Sequence, residues 1–218
     1  PSGLSFEKTV KNLWAKERSS FAVLKESPEF LKFCLCGLLY QAGIAVVVTL
    51  SAVYAELVMK FTTAQTITLI LVVNITAAVG AFFFGYVQDR IGHRKTLALT
   101  IFLWIVMGVT AAFSTSAASF WFAANLAGIA MGSSQAAGRA TVAVFAPEGQ
   151  LAKFYSVWNI AVWGANILGP ITYGLVTWLT NGDQRTAILV TTLYFVFGLI
   201  VLRMVRLPKK APNIGSEL

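Results

Sequence analysis

The chain has 218 residues, of which 57% are hydrophobic and 12% are charged, and its mean hydropathy is +0.72. A soluble domain carries about twice that charged fraction, so the composition argues against a soluble domain and predicts an integral membrane protein. The net charge of +8 would suit nucleic acid, but its distribution along the chain favours membrane topology and anionic lipid headgroups. We therefore expect the lipid bilayer as a partner and no nucleic acid.

The first 29 residues mix cations with apolar residues that keep helical spacing: Phe6, Val10, Leu13 and Trp14. This pattern is typical of an interfacial amphipathic helix, although a solvated connector fits it too. Ser27, Pro28 and Glu29 then resemble a helix start, with a capping hydroxyl, a proline in the first turn and an acid near the positive end of the helix dipole. We assign residues 1–29 to a cytoplasmic amphipathic segment.

Six apolar segments of membrane length follow, and they predict an all-α, multi-pass membrane protein. A span needs about 20 residues, because a helix rises about 1.5 Å per residue across a core of about 30 Å. The segments cover residues 30–56, 64–87, 96–114, 119–142, 147–179 and 186–206. Residues 30–206 are expected to form one six-helix bundle and residues 207–218 a cytoplasmic tail. Pro147 and Glu148 repeat the helix-start signal of Pro28 and Glu29.

The basic residues predict the orientation of the bundle. With a cytoplasmic N-terminus, 15 of the 17 Lys and Arg residues lie on or near the cytoplasmic side, and only Lys60 and Arg185 lie on the other. Cytoplasmic loops of membrane proteins carry such an excess of Lys and Arg. We expect both termini in the cytoplasm and the protein in a plasma or inner membrane.

The connection after the second segment holds five ionisable side chains within seven residues, from Asp89 to Lys95. Gly92 would permit a tight reversal with positive φ, and Gly85 would let a neighbouring helix approach closely. Asp89 could accept from exposed N–H groups at a helix N-terminus or pair with a guanidinium. The alternative is a short cytoplasmic loop that merely collects Lys and Arg, but that would not explain the spacing of the glycines and the acid.

This connection resembles the loop signature of the major facilitator superfamily, which reads Gly-x-x-x-Asp-Arg-x-Gly followed by two basic residues. The residues that carry the resemblance are Gly85, Asp89, Arg90, Gly92, His93, Arg94, Lys95 and the apolar Leu97. It implies a loop that stabilises one state of an alternating-access cycle. We predict a conformational latch formed by Gly85, Asp89, Arg90, Gly92, Arg94 and Lys95. It would hold the second and third spans against a neighbouring helix, with the start of the fifth span near Pro147 as the candidate.

Polar side chains on the first, fourth and fifth segments predict a path for a solute. Such side chains are costly in lipid, so they should face the protein interior or a water-filled path. The candidate path residues are Gln41, Asn125, Gln135, Arg139, Asn159, Trp163, Asn166 and Tyr173. Gly128 and Gly132 share a face with Gln135 and form a close-packing Gly-x-x-x-Gly pattern. A purely structural role for Asn125 and snorkelling of Arg139 to the cytoplasmic face are the alternatives.

A second set of residues is similar to the vacuole-effluxer-like branch of that superfamily, over roughly residues 20–206. The residues are Gly132, Ser133, Gln135, Ala136, Arg139, Phe154, Asn159, Ile167, Leu168, Gly169, Pro170 and Gly174. The resemblance implies the C-terminal six helices of a fold built from two six-helix halves. It also implies a partner half, either a missing N-terminal half or a second copy, and fungal members of the branch export amino acids from vacuoles. The chain departs from the branch at Gly138, where Ser is usual, and at Gln41–Ala42 and Val162–Trp163.

These features favour a secondary transporter, or half of one, that moves a small polar or zwitterionic solute such as an amino acid. A non-transporting membrane scaffold or receptor on the same half-fold is the alternative. We expect no enzyme, cofactor, catalytic residue or metal site, because the chain has one histidine and its two cysteines, Cys34 and Cys36, point to different faces of a helix. No acid lies deep in a segment, so we expect no proton-coupling carboxylate in these helices; Glu56 is the candidate that could break this rule.

Overall fold

The computed structural model describes residues 27–208, and all regular secondary structure in that range is helical. The helices are α1 Pro28–Leu57, α2 Thr63–Ile91, α3 His93–Ala112, α4 Ala117–Phe145, α5 Leu151–Leu179 and α6 Gln184–Met204. The prediction of an all-α six-helix bundle is therefore confirmed. Most of the predicted amphipathic segment and of the tail, residues 1–26 and 209–218, lies outside the described residues.

Five of the six described helices, α1, α2, α3, α5 and α6, are long and apolar enough to cross a membrane. Helix α4 is equally long, with 29 residues, but glycines, serines and amide side chains make it less apolar. It packs against α2 and α3, which cover much of its surface. The chain is thus a multi-pass membrane protein in which the most polar helix is sheltered by its neighbours.

Local chemistry sets the helix ends. Thr62 and Gln65 form a capping box at the start of α2, and Ser116 and Ser119 form another at the start of α4. Each box satisfies backbone N–H groups that the first helical turn leaves without partners. The hydroxyl of Ser27, in contrast, makes no capping hydrogen bond, although Pro28 does begin α1.

Two predicted connections differ from the structure. Helix α5 begins at Leu151 rather than at residue 147, because Pro147 opens a turn that Gln150 closes by donating its N–H to the Pro147 carbonyl at 3.1 Å. Gly149 has a φ of +75° in that turn. The helix-start interpretation of Pro147 and Glu148 was therefore wrong. The expected loop from residue 88 to 95 is almost entirely helical, and Gly92 alone separates α2 from α3.

Helices that neighbour each other in space are mostly not neighbours in sequence. Helix α2 packs mainly on α4, α1 on α5 and α6, and α3 on α4 and α6. The α2–α4 contact is so close that a Cβ atom at Gly132 would lie 1.8 Å from the carbonyl oxygen of Ala77, and one at Gly128 2.0 Å from the hydroxyl of Thr76. The predicted close-packing role of the Gly-x-x-x-Gly pattern is confirmed.

Aromatic side chains fill the bundle between these backbones. Phe33 and Trp158 stack at 5.0 Å between α1 and α5, and Trp104 and Phe195 stack at 5.2 Å between α3 and α6 with their rings 4° from parallel. All four side chains are buried. The α3–α6 pair is therefore joined at its centre by a ring stack.

Candidate functional site

The turn between α2 and α3 braces the C-terminus of α6. Gly92 has a φ of +85°, so the predicted positive φ is confirmed. That conformation places Arg94 in the first turn of α3, where its guanidinium donates to the carbonyl oxygen of Arg203 at 2.6 Å. Next to it, the amide nitrogen of Gln88 lies 2.7 Å from Nδ1 of His93. The helix held by this turn is α6, not the start of α5 as expected from the sequence.

The four other latch residues make fewer contacts than expected. A Cβ atom at Gly85 would meet nothing within 4 Å. No helix within residues 27–208 therefore approaches Gly85 closely, and that prediction was wrong. Asp89 is exposed, and its carboxylate has no hydrogen bond or ion pair with any residue in that range. Arg90 lies over the ring of Tyr86 on its own helix, 4.5 Å from the ring centroid. Lys95 is exposed.

Two candidate path residues meet across the bundle. Gln41 on α1 donates through Nε2 to Oε1 of Gln135 on α4 at 3.2 Å, and Gln135 donates back to Oε1 of Gln41 at 3.1 Å. Gln41 is 4% exposed, while Gln135 is half-buried. Each amide still has one N–H and one oxygen lone pair available. The pair is a hydrogen-bonded amide junction between α1 and α4.

The remaining candidate path residues do not join this junction. Asn125 donates to the carbonyl of Trp121 on its own helix at 2.8 Å, which favours the structural interpretation. Tyr173 is buried and donates to Oε1 of Gln184 at 2.5 Å. The others are exposed, namely Arg139, Asn159, Trp163 and Asn166. Of these, the three on α5 share one outward face.

A cavity of about 250 Å³ lies inside the bundle, on the side of the Gln41–Gln135 pair away from the α2–α3 turn. All six helices contribute to its lining, which is mostly apolar and includes Trp104, Phe120 and Phe195. Tyr173 is the one predicted path residue that lines it. The sequence did not indicate this cavity, because its lining consists of the same residue types as the closed core.

The carboxylates of residues 27–208 all lie at helix ends or in connections. They are Glu29, Glu56, Asp89, Glu148 and Asp183. Hydrogen bonds from the hydroxyl and N–H of Thr186 and the N–H of Arg185 hold the pKa of the Asp183 carboxyl below its usual range. Glu29 accepts from Nζ of Lys32 at 2.7 Å and from the backbone N–H of Arg206 at 2.6 Å. In the described part of the chain, no carboxylate occupies the middle of a helix, as expected from the sequence.

Comparison with known proteins adds to this geometry. Residues 4–214 match a family model described as vacuole effluxer Atg22 like. A protein of Bacillus subtilis (strain 168) named uncharacterized MFS-type transporter YxiO is 25% identical over 173 residues, which are 79% of this chain and 40% of that protein. Autophagy-related protein 22 of Candida glabrata is also 25% identical over 173 residues, covering 72% of this chain and 31% of the relative.

Among solved structures, a variant of the E. coli fucose:proton symporter FucP superposes with a TM-score of 0.72 at 18% identity, over 88% of this chain and 46% of the symporter. The chain thus spans less than half the length of each of these proteins. All three are named as transporters or as members of the matched family and none as an enzyme, in agreement with the expectation of no enzyme. Because the family model covers almost the whole chain, the protein belongs to the vacuole effluxer Atg22-like family, and its fold is that of one half of a major facilitator transporter.

Proposed function

We propose that the protein is one half of a secondary, alternating-access transporter that moves a small polar or zwitterionic solute such as an amino acid. The observation that carries this proposal is the reciprocal amide pair of Gln41 and Gln135. Helices α1 and α4 also contact each other through aromatic pairs towards both ends, Phe33 with Phe145 and Tyr54 with Phe120. Within residues 27–208, the two neutral amides supply the hydrogen bonds between these helices. A solute with a carboxylate and an ammonium group can replace these amide–amide bonds, because each amide offers both a donor and an acceptor.

Arg139 supplies a charge close to this junction. It lies four residues after Gln135 on α4, which corresponds to about 6 Å along the helix axis, and it is exposed. Its side chain has no hydrogen bond or ion pair within residues 27–208. A cation beside neutral amides suits the carboxylate of a solute, which is why we favour an amino acid over an uncharged sugar.

Two outward faces support a partner half. Helix α2 exposes Phe82 (87%) and Phe83, and α5 exposes Trp163 (67%) and Trp178 (75%). Large exposed aromatic side chains of this kind are typical of surfaces in contact with lipid or with another protein. We propose that a second six-helix half, an N-terminal half or a second copy, covers these faces and closes the solute path between the two halves.

The α2–α3 turn is proposed as the latch of this transporter, with both termini in the cytoplasm. Eight described cations lie on the side of the bundle where α1 begins, namely Lys32, Arg90, Arg94, Lys95, Arg139, Lys153, Arg203 and Arg206, whereas Lys60 and Arg185 lie on the other. Single cysteines at Gly149 and at Ser116 test the orientation with a membrane-impermeant thiol reagent. Labelling of the Gly149 position from outside intact cells would overturn it.

Transport is tested by tracer uptake into proteoliposomes that hold the purified protein together with its second six-helix half, with a panel of amino acids and sugars. We expect uptake of an amino acid, a loss of roughly tenfold or more when Gln41 and Gln135 are both changed to Leu, and unchanged uptake for the matched control Asn125→Ala. Asp89→Ala should also slow uptake if the turn acts as a latch. A folded protein that moves no solute, or a double variant with normal uptake, would favour the non-transporting scaffold or receptor.

A further inference from the structure

Three cations meet where α3 begins and α6 ends. The guanidinium of Arg94 lies on the backbone carbonyl of Arg203 at 2.6 Å, and Lys95 follows Arg94 in the chain. Lys95 and Arg203 are exposed. Within residues 27–208, none of the three forms an ion pair with a carboxylate, since the one recorded pair joins Lys32 to Glu29. The junction therefore carries three cations that form no ion pair with a carboxylate of the described residues.

Below these cations, each helix presents an exposed apolar stripe. On α3 the stripe is Leu99, Phe102 and Val109, and on α6 it is Leu193, Phe197, Ile200 and Met204. Leu99 lies one helical turn from Lys95, and Ile200 lies one turn from Arg203. Each stripe thus ends at a cation. We name the three cations and the two stripes together the α3–α6 seam.

The seam lies apart from the faces assigned to the partner half. Helix α3 packs on α4 and α6, and α6 packs on α1 and α3, whereas the proposed partner surfaces are on α2 and α5. The α3 and α6 stripes are therefore open to hydrocarbon at membrane depth, and the cations lie at the level of the headgroups.

We propose that the α3–α6 seam binds one anionic phospholipid. Its phosphate would lie among Arg94, Lys95 and Arg203, because guanidinium groups bind phosphate oxygens in pairs, and its acyl chains would lie along the two stripes. A zwitterionic headgroup brings its own cation, which the three cations repel, so the seam selects a net negative headgroup. This inference depends on the membrane embedding of the chain and not on the identity of the transported solute.

The test is binding of phosphatidylglycerol and phosphatidylcholine to the full chain in detergent, followed by native mass spectrometry. We expect the wild-type protein to prefer phosphatidylglycerol by roughly tenfold or more, since each cation near a lipid surface strengthens binding to anionic lipid. The variant Lys95→Gln with Arg203→Gln should lose that preference. Arg94 stays unchanged, so the α6 C-terminus keeps its hydrogen bond.

The charge-matched control is Arg139→Gln with Lys153→Gln, which removes two exposed or half-exposed cations at the same end of the bundle but on α4 and α5. It should keep the preference. An equal loss in the control would mean diffuse electrostatic attraction and would overturn the proposal. So would a wild-type protein without preference, or glycerol phosphate that binds as tightly as the lipid, because the apolar stripes would then contribute nothing.

Discussion

Arg94 and Arg185 are each the second residue of one of two antiparallel helices, α3 and α6. The side chain of each donates hydrogen bonds at the C-terminal end of the helix that carries the other. Arg94 is the second residue of α3 and donates to the carbonyl of Arg203 near the end of α6. Arg185 is the second residue of α6 and donates to the carbonyls of Ala112 and Ser114 at the end of α3, at 3.1 and 2.7 Å. This reciprocity is the relationship expected of two three-helix repeats with inverted topology.

Loss of either arginine cap should destabilise the bundle. Cations at helix C-termini contribute about 0.3–1 kcal/mol when exposed and up to about 2 kcal/mol when partly buried. We expect Arg185→Gln, which loses two hydrogen bonds, to lower the Tm more than Arg94→Gln, which loses one. The two sites lie at opposite ends of helices about 30 Å long, so their effects should add within about 0.5 kcal/mol. Thermal unfolding of the single and double variants measures this, and a strong deviation from additivity would contradict independent caps.

The Gln41–Gln135 pair should behave as a coupled unit in stability. Changing one Gln to Leu leaves the other amide without its partner, which costs about 1–3 kcal/mol for a buried polar group. Changing both removes the unpaired group, so the double variant should be more stable than the sum of the single changes indicates. A double-mutant cycle on Tm measures the coupling. If the two single effects simply added, the amides would not depend on each other.

The Tyr40 hydroxyl lies where a side chain at position 138 would be placed. The Tyr40 hydroxyl is buried and has no hydrogen-bond partner in the described residues, and a Cβ atom at Gly138 would lie 2.4 Å from it. We therefore expect Gly138→Ser, the residue that the sequence resemblance implies at this position, to lower the Tm in the wild-type background. Tyr40→Phe should raise the Tm, because an unpartnered buried hydroxyl is costly, and should also rescue Gly138→Ser. A serine that is equally harmful in both backgrounds would exclude this explanation.

Acid should weaken the start of α6. The pKa of Asp183 is lowered in the folded protein by the hydrogen bonds from Thr186 and Arg185. Because the pKa of the Asp183 carboxyl is lower in the folded protein, its ionised form stabilises the fold fully above the unfolded-state pKa of about 3.9. This stabilisation is lost as the pH falls through the folded-state pKa. We expect a constant contribution between about pH 7 and 5 and a falling Tm below about pH 4. Asp183→Asn should lower the Tm at neutral pH and reduce its fall in acid, while the exposed Glu56→Gln serves as the control.

The sequence predicted what depends on apolar length and on backbone sterics. The apolar segment predicted at residues 30–56 is helix Pro28–Leu57 in the structure, and the segment predicted at 64–87 is helix Thr63–Ile91. The extensions arise because a helix continues into water at little cost, carrying Asp89 and Arg90 with it. Gly92 and the Gly128–Gly132 pattern were also predictable, since each role follows from the lack of a Cβ atom.

Contacts that depend on which helices meet were not predictable from local pattern. Gln41 and Gln135 are 94 residues apart, and nothing in either segment indicates the pairing. The same holds for Arg94, whose partner is a backbone carbonyl on α6. Because every residue has a backbone carbonyl, the sequence does not indicate which one Arg94 contacts. Gly85 was expected to contact a neighbouring helix, but no described helix lies beside it.

The packing of distant helices also sets an order for assembly during synthesis. Helix α1 finds its main partners, α5 and α6, only after both have been made, whereas the partners of α4 include α2 and α3, which precede it. Helix α4, the one described helix that is not apolar enough to cross a membrane by itself, is therefore synthesised after α2 and α3, the apolar helices on which it packs. A ribosome stalled after α3 would leave three helices with few mutual contacts, and the bundle would close only when α6 arrives to join α1 and α3.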